Sequence, residues 1–329
     1  MQKEDSSSSG ALSSFSVDTS DDADLDLEDI TRPSSSMSVT SSVYRFVEEF
    51  GRTFHGYKQG KYFLPNDEVD LQHAIAKQLF GKLALAPIDQ PRQVLDIGTG
   101  TGIWAVEFAE ENPKSNVLGT DLSPIQPDYV PANCRFEIDD VEDEWAFGQP
   151  FDYIHGRYLS PFLRDIPKVL ASVFGGLAPG GWAEFQEIAI DLRGVDGSLK
   201  GTAARRWNDL LQEGVRRLGR DALAALRYRA WMTDAGFVNV VERRFAVPMS
   251  PWAKGRDNKV LGAMQMTNHL EGIEGITLSV FTKGLGWTAD QVSEFLVDVK
   301  KDLVDRRLHG YVPIIVIYGQ KPPAPEAKS

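Results

Sequence analysis

Val94-Leu95-Asp96-Ile97-Gly98-Thr99-Gly100-Thr101-Gly102 (VLDIGTGTG) decides the fold of this 329-residue chain. A short apolar run, an acid near its end and three alternate glycines predict a strand that turns sharply into a helix. Glycine tolerates positive φ and lacks a Cβ, so the main chain can lie against a bound molecule. The dinucleotide fingerprint G-x-G-x-x-G needs a third glycine where this chain has Ile103. A carboxylate in the turn would also repel a pyrophosphate seated at the helix N-terminus. Asp96 instead suits a ligand that carries a cationic ammonium group.

D-x-G-x-G-x-G, as it stands at Asp96 to Gly102, resembles motif I of the class I methyltransferases. Their cofactor, S-adenosylmethionine, has an ammonium and an adenosine but no phosphate. The resemblance makes Asp96, Gly98, Thr99, Gly100 and Gly102 the candidate cradle. A second strand, Asn116 to Leu122, ends in Asp121 at the distance where an acid meets ribose hydroxyls, with Leu122 beside it. A third, Cys134 to Asp140, is followed by Val141, and the Asp140 and Val141 pair resembles the acid and apolar residue that hold an adenine. The alternative for Asp121 and Asp140 is that they only cap strand-to-helix turns. The fold implied is α/β: a Rossmann-like, seven-stranded mixed sheet with helices on both faces, plus an N-terminal helical arm and a helical cap insertion.

Composition limits the partners. Hydrophobic residues make up 42% and aromatics 10%, enough for a substantial core. Of the net charge of -12, -7 lies in Met1 to Ser42, so the rest is a mildly acidic surface with no basic track for nucleic acid. The single cysteine, Cys134, sits in a predicted core strand and reads as a packed side chain in a reducing compartment. No stretch approaches the roughly 18 apolar residues of a membrane span, and the N-terminus lacks a signal-peptide core. A cytoplasmic protein is expected.

Residues 1–42, rich in serine and aspartate, read as a disordered acidic tail. Residues 43–90 read as an aromatic and helical lid, with Asn66 or Asp67 as N-cap of a helix through Phe80. Tyr57 and Tyr62 are placed to cover a cofactor, or simply to pack on the body. Residues 91–329 form the catalytic domain, with a substrate cap from about 190–220 and 248–285, a run that otherwise reads as plain core. Helices are expected over Asp165 to Leu177, Thr202 to Leu218, Asp221 to Ala235 and Thr288 to Leu308. Strands are expected at Phe151 to His155, Trp182 to Ile188, Val238 to Val247 and Tyr311 to Tyr318, the last antiparallel. Pro179-Gly180-Gly181 should be a turn leading into the fifth.

Tyr57-x-x-Gly60-x-Tyr62-x-Leu64-Pro65-Asn66-Asp67, the segment Asp139-Asp140-Val141-Glu142-Asp143-Glu144-Trp145 and FDYIHGRYL at Phe151 to Leu159 together resemble the fungal LaeA-like methyltransferases. The resemblance covers about Tyr44 to Gln186 and departs at Asp70 to His73, where that family usually carries a glutamate and an arginine. It implies that the loop at His155 and Arg157 borders cofactor and substrate. Members of the family are linked to secondary metabolism and to velvet-type complexes, so a regulatory role with a velvet-type partner and a nuclear location is the alternative to an enzyme of small-molecule biosynthesis.

Methyl transfer from a sulfonium needs alignment and exclusion of water more than proton chemistry. An oxygen acceptor still loses a proton, and His155 is the candidate base by position and because histidine is the side-chain type suited to proton transfer near neutral pH, or else a structural histidine. His73, His269 and Glu187 are weaker alternatives, and Arg157 either binds an acidic acceptor or pairs with a carboxylate. The Asn/Asp-Pro-Pro-Tyr sequence of amine and amide methyltransferases is absent after the fourth strand. The acids at Asp139 to Asp143 lack histidines at ligand spacing and read as a turn and helix start, so no metal is expected. The cap insertion points to a small, mostly apolar acceptor methylated at oxygen, with nitrogen or carbon as the alternatives.

Overall fold

A computed structural model describes residues 15–17, 46–49, 52–55 and 69–325. Its elements run β1 (Phe46–Glu49), β2 (Arg52–His55), α1 (Val69–Phe80), β3 (Gln93–Ile97), α2 (Ile103–Glu111), β4 (Asn116–Asp121), β5 (Cys134–Ile138), β6 (Phe151–Arg157), α3 (Ile166–Gly176), β7 (Leu177–Ile188), β8 (Arg193–Gly194), α4 (Ala203–Arg217), α5 (Tyr228–Asp234), β9 (Val238–Pro248), α6 (Arg256–Val280), α7 (Ala289–Val304) and β10 (Gly310–Gln320). β1 and β2 form a separate antiparallel hairpin. The main sheet has the order β5-β4-β3-β6-β7-β10, with β9 on the outer edge of β10. β3 to β7 are parallel, and β10 runs antiparallel to both β7 and β9. That is the expected seven-stranded mixed sheet; the two-residue β8 extends the β7 side of β10.

Strand residues alternate between two apolar layers, as a doubly covered sheet requires. Val94, Val117, Tyr153 and Val316 pack toward α2, where Trp104, Ala105 and Phe108 meet them. Leu95, Leu118, Ile154 and Ile315 pack the other way, against Val169, Leu170 and Val173 of α3 and Tyr228 and Met232 of α5. Cys134 is buried as expected, and burial pushes its thiol up to about 11.

A third layer stands above the strand ends. α4, α6 and α7 share one cluster that includes Trp207, Leu211, Ile273, Phe281, Leu296 and Leu303. α4 buries Ala204, Trp207, Asn208, Leu211, Gly214 and Val215, the i, i+3, i+4, i+7 spacing of a one-sided helix. Its close approach to the π-helical turn Phe281–Leu285 depends on glycine, because a Cβ at Gly214 would strike Val280 and one at Gly284 would lie 2.6 Å from the Gly214 carbonyl oxygen. Thr288 begins α7 with a capping box completed by Gln291.

Several boundaries differ from expectation. The helix expected over Asp221 to Ala235 is a 3-10 turn, Ala224–Arg227, followed by α5, and α7 stops at Val304 rather than at Leu308. Pro179-Gly180-Gly181 is a bulge inside β7: Phe151 pairs with Leu177, yet Tyr153 pairs with Trp182. Asp139 to Glu144 forms a turn with no helix start. Most of the tail 1–42 lies outside the described residues, but Phe15 packs on Trp252 and Tyr311, and Val17 bridges to Ala253. No described helix is long and apolar enough to cross a membrane.

The link from α1 into β3 is held by one buried carboxylate. Glu184 of β7 accepts the Leu85 and Ala86 amides at 2.8 and 2.6 Å and the Gln186 side-chain amide at 2.7 Å. Removing it strands three buried donors, each at roughly 1–3 kcal/mol. Glu184→Ala should therefore lower unfolding free energy by about 3 kcal/mol or more in a urea titration; a loss below ~1 kcal/mol would mean that the amides find other partners.

Candidate functional site

The strand order reverses at β3, whose neighbours β4 and β6 lead to opposite halves of the sheet, and such a switch point opens a crevice beyond the strand ends. One cavity occupies that crevice. Asp96, Gly98, Thr99, Gly100, Asp121, Leu122, Asp140 and Val141 line one end. Phe162, Ile190, Trp207, Leu211, Ile273 and Leu303 line the other, beneath the third helical layer. His73, His155, Arg157 and Tyr158 also border it.

The glycine turn has φ of 63°, 60° and 81° at Gly98, Gly100 and Gly102, a run open to glycine alone at little cost. A Cβ at Gly98 would overlap Leu159. Gly102, expected in the cofactor cradle, does not line the cavity: it precedes α2 with its Cα against the Phe136 ring, and its role is the turn itself. Asp96 is 3% exposed, and its carboxylate accepts the Thr99 hydroxyl at 2.6 Å and His155 Nδ1 at 2.7 Å. Each Asp96 oxygen thus holds one protein donor, and the residue also lines the cavity.

Asp121 accepts the Gly100 amide at 2.8 Å and the Ser123 amide at 2.9 Å, so it ties β4 to the glycine turn while facing the cavity. Asp140 accepts the Glu142 amide at 3.0 Å and is buried. Both acids do the turn-capping work, and both stand at the cavity wall with Leu122 and Val141. Burial raises the neighbouring Asp139 carboxyl above its ordinary value.

His155 pairs in register with Asp96 across β3 and β6. Its ring lies flat on Trp104, centroids 3.8 Å apart, and is 1% exposed. Nε2 has no hydrogen-bond partner among the described residues. Arg157, two residues on, donates to Gln186 at 2.8 Å and to His73 Nδ1 at 2.9 Å. A guanidinium only donates, so His73 is neutral and its Nε2–H donates to Glu107 at 3.1 Å. Burial, then the Arg157 charge, lowers the His73 pKa accordingly. Arg157 is thus held by two neutral groups and not by a carboxylate. Through His73, and through Asp70 accepting the Thr101 hydroxyl at 2.7 Å, α1 is fastened over the glycine turn. Tyr57 and Tyr62 lie outside the described residues.

A family model described as a methyltransferase domain matches residues 70–242. Methyltransferase pytC of Aspergillus terreus is 36% identical over 311 residues, covering 92% of this chain and 96% of that protein. The chain belongs to the methyltransferase-domain family. The protein-methionine methyltransferase laeA of Emericella nidulans is 32% identical over 84% of the chain and 77% of that relative. Among solved structures, the Haemonchus contortus phosphoethanolamine N-methyltransferase 2 complex with S-adenosyl-L-methionine aligns at TM-score 0.46 and 17% identity, over 77% of this chain and 52% of that one.

In this methyltransferase the remaining candidates part ways. Glu187 does not line the cavity; it is buried beneath the β6–α3 loop, accepting the Leu159 and Ser160 amides at 3.2 and 3.0 Å and the Tyr228 hydroxyl at 3.3 Å. His269 does line it, with two residues that the sequence did not single out, Gln265 and Asn268. Their signal was available: polar side chains at 265, 268 and 269 share a helix face with Gly272, Ile273 and Ile276. Among the described residues no group of three or more histidine, cysteine or acidic side chains is placed to hold a metal.

Burial pushes the Glu187 carboxyl up to about 7, against the hydrogen bonds that lower it. The folded chain then holds this proton over a range where the unfolded chain, with the ordinary value of 4.5, releases it. Native protein binds more protons there, so this group's contribution to stability falls as pH rises from about 4.5 to about 7 and is flat above. Glu187→Gln should remove that fall: the stability difference from wild type, read in urea titrations across the window, shifts toward the variant as pH rises. A constant difference would contradict the assignment.

Proposed function

We propose that this methyltransferase moves the methyl group of S-adenosylmethionine to an oxygen of a small, mostly apolar acceptor, in the chemistry of fungal secondary metabolism. The continuous cavity carries the reading, because it joins the glycine-turn end to an apolar chamber under α4, α6 and α7. The donor set of the first end fits the cofactor: acceptors for ribose hydroxyls at Asp121, an acceptor for an adenine amine at Asp140, and apolar walls at Leu122 and Val141. When bound, the cofactor supplies an electrophilic methyl on a sulfonium with a neutral leaving group.

The protein's part is alignment and dryness. α1 closes one side, fastened by Asp70 and His73, and the third helical layer closes the other. The fourth strand runs into Arg157-Tyr158-Leu159-Ser160, without the Asn/Asp-Pro-Pro-Tyr sequence of amine and amide methyltransferases, which counts against acceptors of that kind. His155 is assigned here as a positioning residue. Its ring is stacked on Trp104 and its Nδ1–H is committed to Asp96, which fixes the imidazole between β3 and β6, while Nε2 has no partner among the described residues.

Calorimetric titration with S-adenosylhomocysteine, followed by mass spectrometry of fungal extract incubated with cofactor and enzyme, tests the central reading. Micromolar binding that weakens about 10–100-fold in Asp121→Ala, the loss of hydrogen bonds to a charged group, with a gain of one methyl mass on an extract component, is the expected result. No binding by the wild type overturns it.

His155→Asn separates positioning from base chemistry, since the asparagine amide can still donate to Asp96. As a positioning residue it should keep kcat within a few-fold and leave the pH profile unmoved. Loss of a general base would instead cost about 10²–10⁴-fold.

A further inference from the structure

The acceptor chamber is mostly apolar, with Asp191 and Asn208 at its wall engaged by protein donors, and carries its unpartnered polar atoms on one face of α6. There Gln265, Asn268 and His269 project into the cavity among Trp207, Ile273 and Ile276. Two buried atoms of this group have no hydrogen-bond partner among the described residues, Oδ1 of Asn268 and Nδ1 of His269. Leaving a buried polar atom unpaired costs roughly 1–3 kcal/mol, and native proteins carry few of them. Two on consecutive residues, both at the wall of a cavity, describe a surface waiting for a ligand's polar group.

Their chemistry sets the ligand's. The Gln265 side-chain amide donates to His269 Nε2 at 2.9 Å, which places the imidazole proton on Nδ1. The chamber therefore presents a free donor, His269 Nδ1–H, and a free acceptor, Asn268 Oδ1. His269 also meets the Trp207 ring edge-on, centroids 6.5 Å apart. Burial lowers its pKa to about 4, so the ring stays neutral at physiological pH. The carboxylate at this end, Asp191, is taken up by Arg193 Nε at 2.7 Å. No charged side chain of α6 lines the cavity, and the Arg157 guanidinium that does is engaged by Gln186 and His73, so a charged acceptor would pay desolvation at the α6 face without a counter-charge there.

Resting on the methyltransferase reading above, we propose that Asn268 and His269 are the polar anchor of the acceptor site, and that the acceptor is a neutral apolar molecule presenting an adjacent hydrogen-bond donor and acceptor, such as an amide, a lactam or a hydroxyl beside a carbonyl. The apolar remainder fills the chamber at Trp207, Leu211 and Ile273. The anchor sets orientation, and so selects which oxygen faces the cofactor end.

The test uses the full chain saturated with S-adenosylhomocysteine, with 2-naphthamide, 2-naphthoate and naphthalene as probes and tryptophan fluorescence or saturation-transfer NMR as readout. 2-Naphthamide should bind wild type at least 10-fold more tightly than 2-naphthoate or naphthalene. Asn268→Leu and His269→Phe, which keep volume and remove the polar atom, should each lose about 10-fold for the amide and nothing for naphthalene. Unchanged S-adenosylhomocysteine affinity certifies each variant's fold, and the comparison of probes on wild type needs no variant at all. If the amide binds no better than the carboxylate, or its affinity is unchanged in both variants, the anchor assignment falls while the cofactor reading stands. If wild type fails to bind S-adenosylhomocysteine, the methyltransferase reading falls first.

Discussion

The buried carboxylate of Asp96, shared between Thr99 Oγ1 and His155 Nδ1, is the interaction on which the site depends. It sits where β3 gives way to the glycine turn, at 3% exposure, so an unpaired charge there would be costly. Thr99 pins the turn to the strand that produced it, and His155 pins the end of β6 to β3. Trp104 of α2 covers the imidazole and donates its indole N–H to the Leu83 carbonyl at 3.1 Å, which ties in the segment between α1 and β3. One acid thus sets the relative placement of two strands, a helix and the turn that borders the cavity.

A second polar chain runs outward from the same place. Glu184 and Gln186 on β7 hold the residues after α1, Gln186 accepts Arg157 Nε, and Arg157 reaches His73 on α1 itself. Lys77 and His73 converge on Glu107 of α2. These bonds fasten α1 to the body of the domain, with Asp70 and His73 finding partners in Thr101 and Arg157. The helical layer of α4, α6 and α7 is built differently, by apolar packing and glycine-permitted close approach, and Asn268 Oδ1 and His269 Nδ1 on its cavity face have no partner among the described residues.

Much of this was legible in the sequence because it is local. Apolar runs ending in acids marked β3, β4 and β5 within a residue or two, and Thr202, Asp165 and Thr288 were readable as helix starts whose side chains do accept the expected amides. Less legible was anything decided by competition between distant groups. The glycines of Pro179-Gly180-Gly181 read as a turn, but pairing with β6 on both sides drew them into one strand as a bulge. Gly102 was read with its neighbours as cradle, yet Phe136 from β5 takes up the space that it frees. Glu187, read as a possible base, spends its carboxylate on the Leu159 and Ser160 amides of the β6–α3 loop.

By itself, the sequence determined the sheet's core, the glycine turn, the acids at the ends of the second and third strands and the family, since each rests on short-range pattern and chemistry. Tertiary structure alone decided that His155 faces Asp96 rather than open solvent, that Arg157 is held by neutral partners, and that α7 joins α4 and α6 in one cap over a cavity continuous with the glycine turn. The physical reason is that a side chain's role depends on which partner satisfies it first, and those partners lie 59 residues away for His155 and 84 for Arg157.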